Sequence, residues 1–227
     1  MKTKIFNLII LDESGSMDCV KTQTISGCNE TINTVIAAQK RYADTQEHTV
    51  SIYAFQNAGE RPSRYIMKNV PAMEIQPISD ADYCPDGLTP LNDAVGATLV
   101  DLKSYTSGFP LAIGSVTIIT DGYENSSRHY SRAQVASMID ELKAKGWNFN
   151  FIGANIDVSS TAASFSIDNS LEFQQNDCGT QIMFEQANEG RMRYYERMDG
   201  CMADCCEVAP EEFAKKAVEA SKNFFNK

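Results

Sequence analysis

Four short runs, Ile5–Leu11, Val50–Phe55, Val116–Thr120 and Trp147–Gly153, constrain this chain most, because each is rich in β-branched or aromatic residues and none contains a charge. Such runs read as strands buried on both faces, and strands of that kind belong in a parallel sheet covered by helices. The segments between them carry helical periodicity: Ile32, Val35 and Ile36, then Leu91, Ala94, Val95, Thr98, Leu99 and Leu102, then Val135, Met138, Ile139 and Leu142. Strands alternating with helices imply βαβ units and an α/β architecture.

The punctuation agrees. Ser131 followed by Gln134 forms a capping-box pattern, Gly146 suits a helix C-terminus, and Thr89-Pro90 suits a helix start. Arg61–Val70 reads as an extended edge segment, and Asn69–Leu88 as a long loop rich in Pro, Asp and Gly. Leu171–Gln174 supplies a last strand, followed by helical signals over Gln181–Met198 and Glu211–Phe225. Without internal repeat or low-complexity linker, the expected organisation is one α/β domain over residues 1–175 with a C-terminal helical extension, 176–227, packed on or beside it.

A formal charge of −10 over 227 residues, with no basic run, argues against nucleic acid, whose binding needs clustered Lys and Arg. The opening MKTKIFNLIIL imitates a signal peptide, but it runs into Asp12 and Glu13 without a small-residue cleavage site and reads as a buried strand. No stretch approaches the ~20 apolar residues that cross a bilayer. A soluble, cytoplasmic protein with no membrane partner is expected, its seven cysteines mostly free thiols.

The chemistry gathers at strand ends. Ile5–Leu11 runs into Asp12-Glu13-Ser14-Gly15-Ser16, a turn offering one carboxylate and two hydroxyls at alternate positions, and Val116–Thr120 runs into Asp121-Gly122. In an open parallel sheet the C-terminal strand ends lie side by side, and ligands bind where the strand order reverses. A third piece, Gly87-Leu88-Thr89-Pro90-Leu91, brings another hydroxyl at a helix start, although a Thr there can instead cap the helix. All these donors are oxygens, which select Mg²⁺, Mn²⁺ or Ca²⁺ over zinc or copper, and two carboxylates with three hydroxyls favour Mg²⁺ or Mn²⁺.

Asp12-x-Ser14-x-Ser16, Thr89 in Gly-x-Thr-Pro-Leu, and Asp121 in Thr-Asp-Gly together resemble the metal-ion-dependent adhesion site (MIDAS) of von Willebrand factor type A domains. The resemblance covers about residues 3–175, including Ile152-Gly153-Ala154-Asn155, a strand end like those of bacterial members, and fades over the last fifty residues. It implies a three-layer α-β-α, doubly wound, Rossmann-like fold with a six-stranded, mostly parallel sheet and one antiparallel edge strand. It also implies that Ser14 and Ser16 ligate the ion directly, that Asp12, Thr89 and Asp121 do so directly or through water, and that a Glu or Asp of a protein partner completes the shell. Intracellular bacterial proteins of this kind often work beside ATPases, chaperones or stress-response complexes, but no residue here names a partner or an oligomeric state.

Other chemistries fit less well. A Mg²⁺-dependent phosphohydrolase using Asp12 would want a second Asp two residues on, where Ser14 stands. A Ser-His-Asp hydrolase needs a positioned base; His48 reads as a surface or strand-start residue, and His129 follows the Asp121 loop. A third alternative keeps the fold and makes the metal structural. Asp18, Asp93 and Glu124 read as solvated carboxylates near the site, and Cys178, Cys201, Cys205 and Cys206 lack the paired spacing of a zinc knuckle.

Overall fold

The computed structural model describes residues 2–59, 61–203 and 210–225. In chain order the elements are β1 (Thr3–Asp12), a 3₁₀ turn (Gly15–Val20), α1 (Lys21–Arg41), β2 (Gln46–Phe55), β3 (Arg64–Pro71), a short 3₁₀ turn (Ala72–Glu74), α2 (Leu91–Thr106) and β4 (Ala112–Thr120). There follow α3 (Arg132–Lys143), β5 (Asn148–Gly153), α4 (Val158–Ser164), β6 (Asn169–Glu172), α5 (Asp177–Ala203) and α6 (Pro210–Ser221). The strands form one sheet of order β3-β2-β1-β4-β5-β6, parallel throughout except for the antiparallel β2–β3 pair at one edge. α1 and α5 pack together over one face and α2 and α3 over the other, giving the expected three layers.

The four apolar runs form the centre of the sheet, with Ile5, Ile10, Ile52, Val116, Ile118, Phe151 and Ile152 buried. β1, β2 and β4 outrun their apolar stretches, whereas β5 begins one residue inside its own, at Asn148. β2 begins at Gln46 rather than Val50, because its polar start is sealed by tertiary partners: Gln46 Nε2 donates to the Tyr195 carbonyl at 2.7 Å, and the His48 N–H donates to Gln39 Oε1 at 2.8 Å. His48 is therefore not a surface residue. It is buried against the Tyr195 ring, and burial pushes its imidazole down to about 3, so it stays neutral. The expected last strand lies two residues earlier, at Asn169–Glu172.

Ser131 caps α3 with the reciprocal pair anticipated from its sequence, Ser131 Oγ accepting from the Gln134 N–H and Gln134 Oε1 accepting from the Ser131 N–H. α3 itself ends at Lys143, with Gly146 taking positive φ (+91°) in the turn beyond it.

The residues after 175 form α5 and α6. α5 runs alongside α1, its Phe184 ring resting on Gly27, and Tyr195 Oη donates to Asn7 Oδ1 on β1 at 2.6 Å. Arg191, fully buried, donates to Thr117 Oγ1 on β4 and Asn188 Oδ1. A Cβ at Gly27 would stand 2.0 Å from the Phe184 ring. Gly27→Ala is thus expected to destabilise the fold by about 1–3 kcal/mol through overpacking, read as a lower urea midpoint at unchanged m.

Among the described residues no helix is long and apolar enough to cross a membrane. Cys201 lies on α5 and Cys178 is exposed near its start, whereas Cys205 and Cys206 fall outside the described residues.

Candidate metal centre

The strand order reverses between β1 and β4, and that is where the candidate ligands meet. Leu11 pairs with Ile119, so Asp12 stands beside Thr120, whose Oγ1 donates to Asp12 Oδ2 at 2.5 Å. The turn after β1 folds back because the Ser14 N–H donates to Asp12 Oδ1 at 2.8 Å, fixing the carboxylate and aiming the serines across the strand ends. Ser14 Oγ and Ser16 Oγ lie 3.2 Å apart, and Ser16 Oγ donates to Asp121 Oδ1 at 2.8 Å. Four of the five residues are thus linked through one network. Thr89 stands beside this network without a side-chain hydrogen bond to it, its Oγ1 3.5 Å from where a Cβ on Gly122, the residue after Asp121, would lie.

Thr89 does not cap its helix: α2 begins at Leu91 with no side-chain cap. Its backbone is held by Asn125, which accepts from the Thr89 N–H at 2.8 Å and donates its own N–H to the Thr89 carbonyl at 3.2 Å. The loop before it needs glycine, since Gly87 has φ +68° and a Cβ there would meet the Ala58 backbone N at 2.8 Å and Asn57 Oδ1 at 2.9 Å, while the Gly87 carbonyl accepts from the Gly15 N–H at 3.2 Å. One glycine contact therefore ties the Thr89 loop to the serine turn.

Asp12, Ser14, Thr89 and Asp121 are buried and Ser16 is exposed. Burial lifts the Asp12 carboxyl to about 6, against hydrogen bonds from Thr120 and Ser14 that pull it down, and Asp121 is raised for the same reason. No basic side chain pairs with either among the described residues. The Arg64 guanidinium, on β3, is committed to Glu13 at 2.5 and 3.0 Å. Two buried carboxylates without a cationic partner, edged by hydroxyls, fit a hard divalent cation. Among the described residues no three His, Cys, Asp or Glu side chains cluster as a metal site, here or elsewhere, so a cation at this edge would rest on two carboxylates together with the hydroxyls.

No family model and no curated protein matches this chain. Solved structures do match. A von Willebrand factor type A protein from Catenulispora acidiphila aligns with a TM-score of 0.55 at 16% identity, covering 84% of this chain and 43% of that one. The manganese-loaded TRAP protein of Plasmodium vivax aligns at 0.50 and 17% identity, covering 81% and 73%. Proximal thread matrix protein 1 from the mussel byssus, with a zinc-occupied MIDAS motif, aligns at 0.53 and 12% identity, covering 84% and 46%. The fold is that of a von Willebrand factor type A domain. This chain spans less than half the length of the Catenulispora protein.

Around the type A scaffold's strand-end crevice stand residues that the sequence reading passed over. Glu13, between the candidate ligands, is fully buried and accepts from Arg64, the Cys84 N–H (2.6 Å) and Gln56 (3.4 Å), locking the long loop against β1. Tyr83 from that loop donates to the Asp12 carbonyl at 2.6 Å. Gln175, beyond β6, donates to Asp121 Oδ2 and to the Ser16 carbonyl at 2.8 Å, while its Oε1 accepts from Asn155. Asp93 and Glu124 are not idle solvated carboxylates. Asp93 accepts from the Arg128, His129 and Tyr130 N–H groups at 2.8 Å each, and Glu124 accepts from the Asn92, Ser126 and Ser127 N–H groups. Asp18 is exposed on the 3₁₀ turn.

Proposed function

We propose that this chain is a metal-dependent protein-binding module in which Asp12, Ser14, Ser16, Thr89 and Asp121 hold one Mg²⁺ or Mn²⁺, and the ion receives a Glu or Asp side chain of a protein partner. The observation that carries this reading is the pair of buried carboxylates, Asp12 and Asp121, joined through serine hydroxyls at the sheet's switch point and lacking any basic partner among the described residues. A bound cation supplies charge for an incoming carboxylate, and the neutral hydroxyls leave much of that charge unspent. The type A fold and the manganese and zinc named for two structural neighbours are consistent with it. Ca²⁺, which takes more ligands and more charge, fits the set less well.

The hydrolytic alternative lacks its second group. Ser14 stands where the second carboxylate would be needed, and His48 pairs with Ile5, at the opposite end of β1 from Asp12. The module is therefore proposed as non-enzymatic. A pull-down with Mg²⁺, with EDTA and with Asp12→Ala tests it: capture only in the first is expected, and equal capture in all three sinks the reading.

Proton competition gives a second expectation. Because the metal-free Asp12 carboxyl titrates at about 6, metal affinity should be level at neutral pH and fall by up to about tenfold per unit as pH drops below that value. Without metal the sign on stability is opposite. The folded state holds the Asp12 proton more tightly than the unfolded chain, so the stabilisation is complete at low pH and is lost as pH rises toward 6. Calorimetric titrations with Mn²⁺ and urea melts in EDTA across this range check both.

A further inference from the structure

On the β2 flank of the strand-end crevice, the end of β2, the first turn of α2 and the 122–130 loop line an open cavity of ≈ 850 Å³. Its wall includes Pro90, the residue after Thr89, and Asn57, whose Oδ1 accepts from the Leu88 N–H at 2.8 Å, so it flanks the loop that carries Thr89. The 122–130 loop fixes both places, Asn125 holding the Thr89 backbone and Glu124 accepting from the Asn92 N–H at 2.7 Å. Asp93 clamps the loop's far end by accepting three backbone N–H groups from residues 128–130. The backbone of Arg128 and His129 is thereby held while both side chains stay exposed at the mouth. Among the described residues the Arg128 guanidinium makes no ion pair, and Asp93, already accepting three N–H bonds, is the sole carboxylate in the lining.

In a chain of net charge −10, an unpaired guanidinium beside an imidazole, at the mouth of a cavity next to the metal edge, selects an acidic ligand. Tyr53, Tyr130 and Pro62 supply apolar walls on which the methylenes of such a side chain can rest. We propose that this cavity is a second subsite for the same partner, in which Arg128 and His129 receive another acidic side chain from the segment whose Glu or Asp sits on the ion. The proposal rests on the metal-dependent reading above. It makes the partner's recognition element a short extended segment with two separated acidic residues rather than one.

The test uses the full chain saturated with Mg²⁺ and capped synthetic peptides: a Gly-Glu-Gly monoacid, and diacids with two Glu separated by glycine spacers of increasing length. At low salt the best-spaced diacid is expected to bind about tenfold tighter than the monoacid. The double substitution Arg128→Ala with His129→Ala should remove that gain and leave monoacid binding and its EDTA sensitivity intact. Both side chains are exposed, and the hydrogen bonds to Asp93 come from backbone N–H groups that the substitutions keep, the His129 imidazole adding only a through-space attraction, so the variant keeps the loop. No gain at any spacing, or a gain that survives the double substitution, overturns the subsite alone. Monoacid binding that is absent or indifferent to EDTA overturns the metal-dependent reading, and the subsite with it.

Discussion

Asp12→Asn is expected to lower Mn²⁺ affinity by more than about a hundredfold, since loss of a mere supporting hydrogen bond behind a metal ligand already costs about ten- to a hundredfold. In the folded chain the Asp12 carboxylate is fully buried and held by the Ser14 N–H and the Thr120 hydroxyl, so little rearrangement is open to a replacement ligand. The amide keeps an acceptor for one of those donors and removes the negative charge. Because burial opposes that charge in the metal-free protein, the variant in EDTA should be at least as stable as the wild type. The rise in melting temperature that Mn²⁺ gives the wild type by mass action should vanish. This combination separates a ligand from a merely structural residue, which would lose stability in EDTA as well. Wild-type affinity in the Asn variant would remove Asp12 from the ligand set.

The fold was legible because its sheet is parallel and buried on both faces, so the strand centres announce themselves as uncharged β-branched and aromatic runs. The strand ends were not. Gln46 and His48 look like solvent-facing residues until Gln39 and Tyr195, nine residues before His48 and 149 residues after Gln46, seal them. α4 went unread although its sequence holds a local signal, Asp157 accepting from the Ser160 N–H at the helix start. That Asp12, Ser14, Ser16 and Asp121 meet at one edge was legible because the C-terminal strand ends of a parallel sheet lie side by side. Their supports divide by range. Glu124 bonding to residues two and three further on is a local pattern that composition could have suggested. Asp93 reaching residues 128–130, and Gln175 reaching Asp121, depend on tertiary placement that no local spacing carries.

Arg64→Ala should be the most destabilising of the substitutions considered, although Arg64 touches none of the candidate ligands. Glu13 is fully buried, and the Arg64 side chain, about a third exposed, is its cationic partner. Removing the guanidinium leaves a carboxylate in the interior with the Cys84 N–H and Gln56 amide as its remaining donors, and breaking a buried pair from one side costs about 3–5 kcal/mol. For a domain of this size about 2–4 °C per kcal/mol applies, which places the fall in melting temperature at roughly 6–20 °C. The Arg64 bond to the Asp82 carbonyl is lost too, so the loop carrying Tyr83 and Gly87 loosens from β1, and Mn²⁺ affinity should weaken with it. Replacing both partners, Arg64→Met with Glu13→Gln, removes the stranded charge and should recover most of the stability. A double variant no more stable than Arg64→Ala would mean that the loss came from the Asp82 contact and side-chain packing rather than from the buried carboxylate.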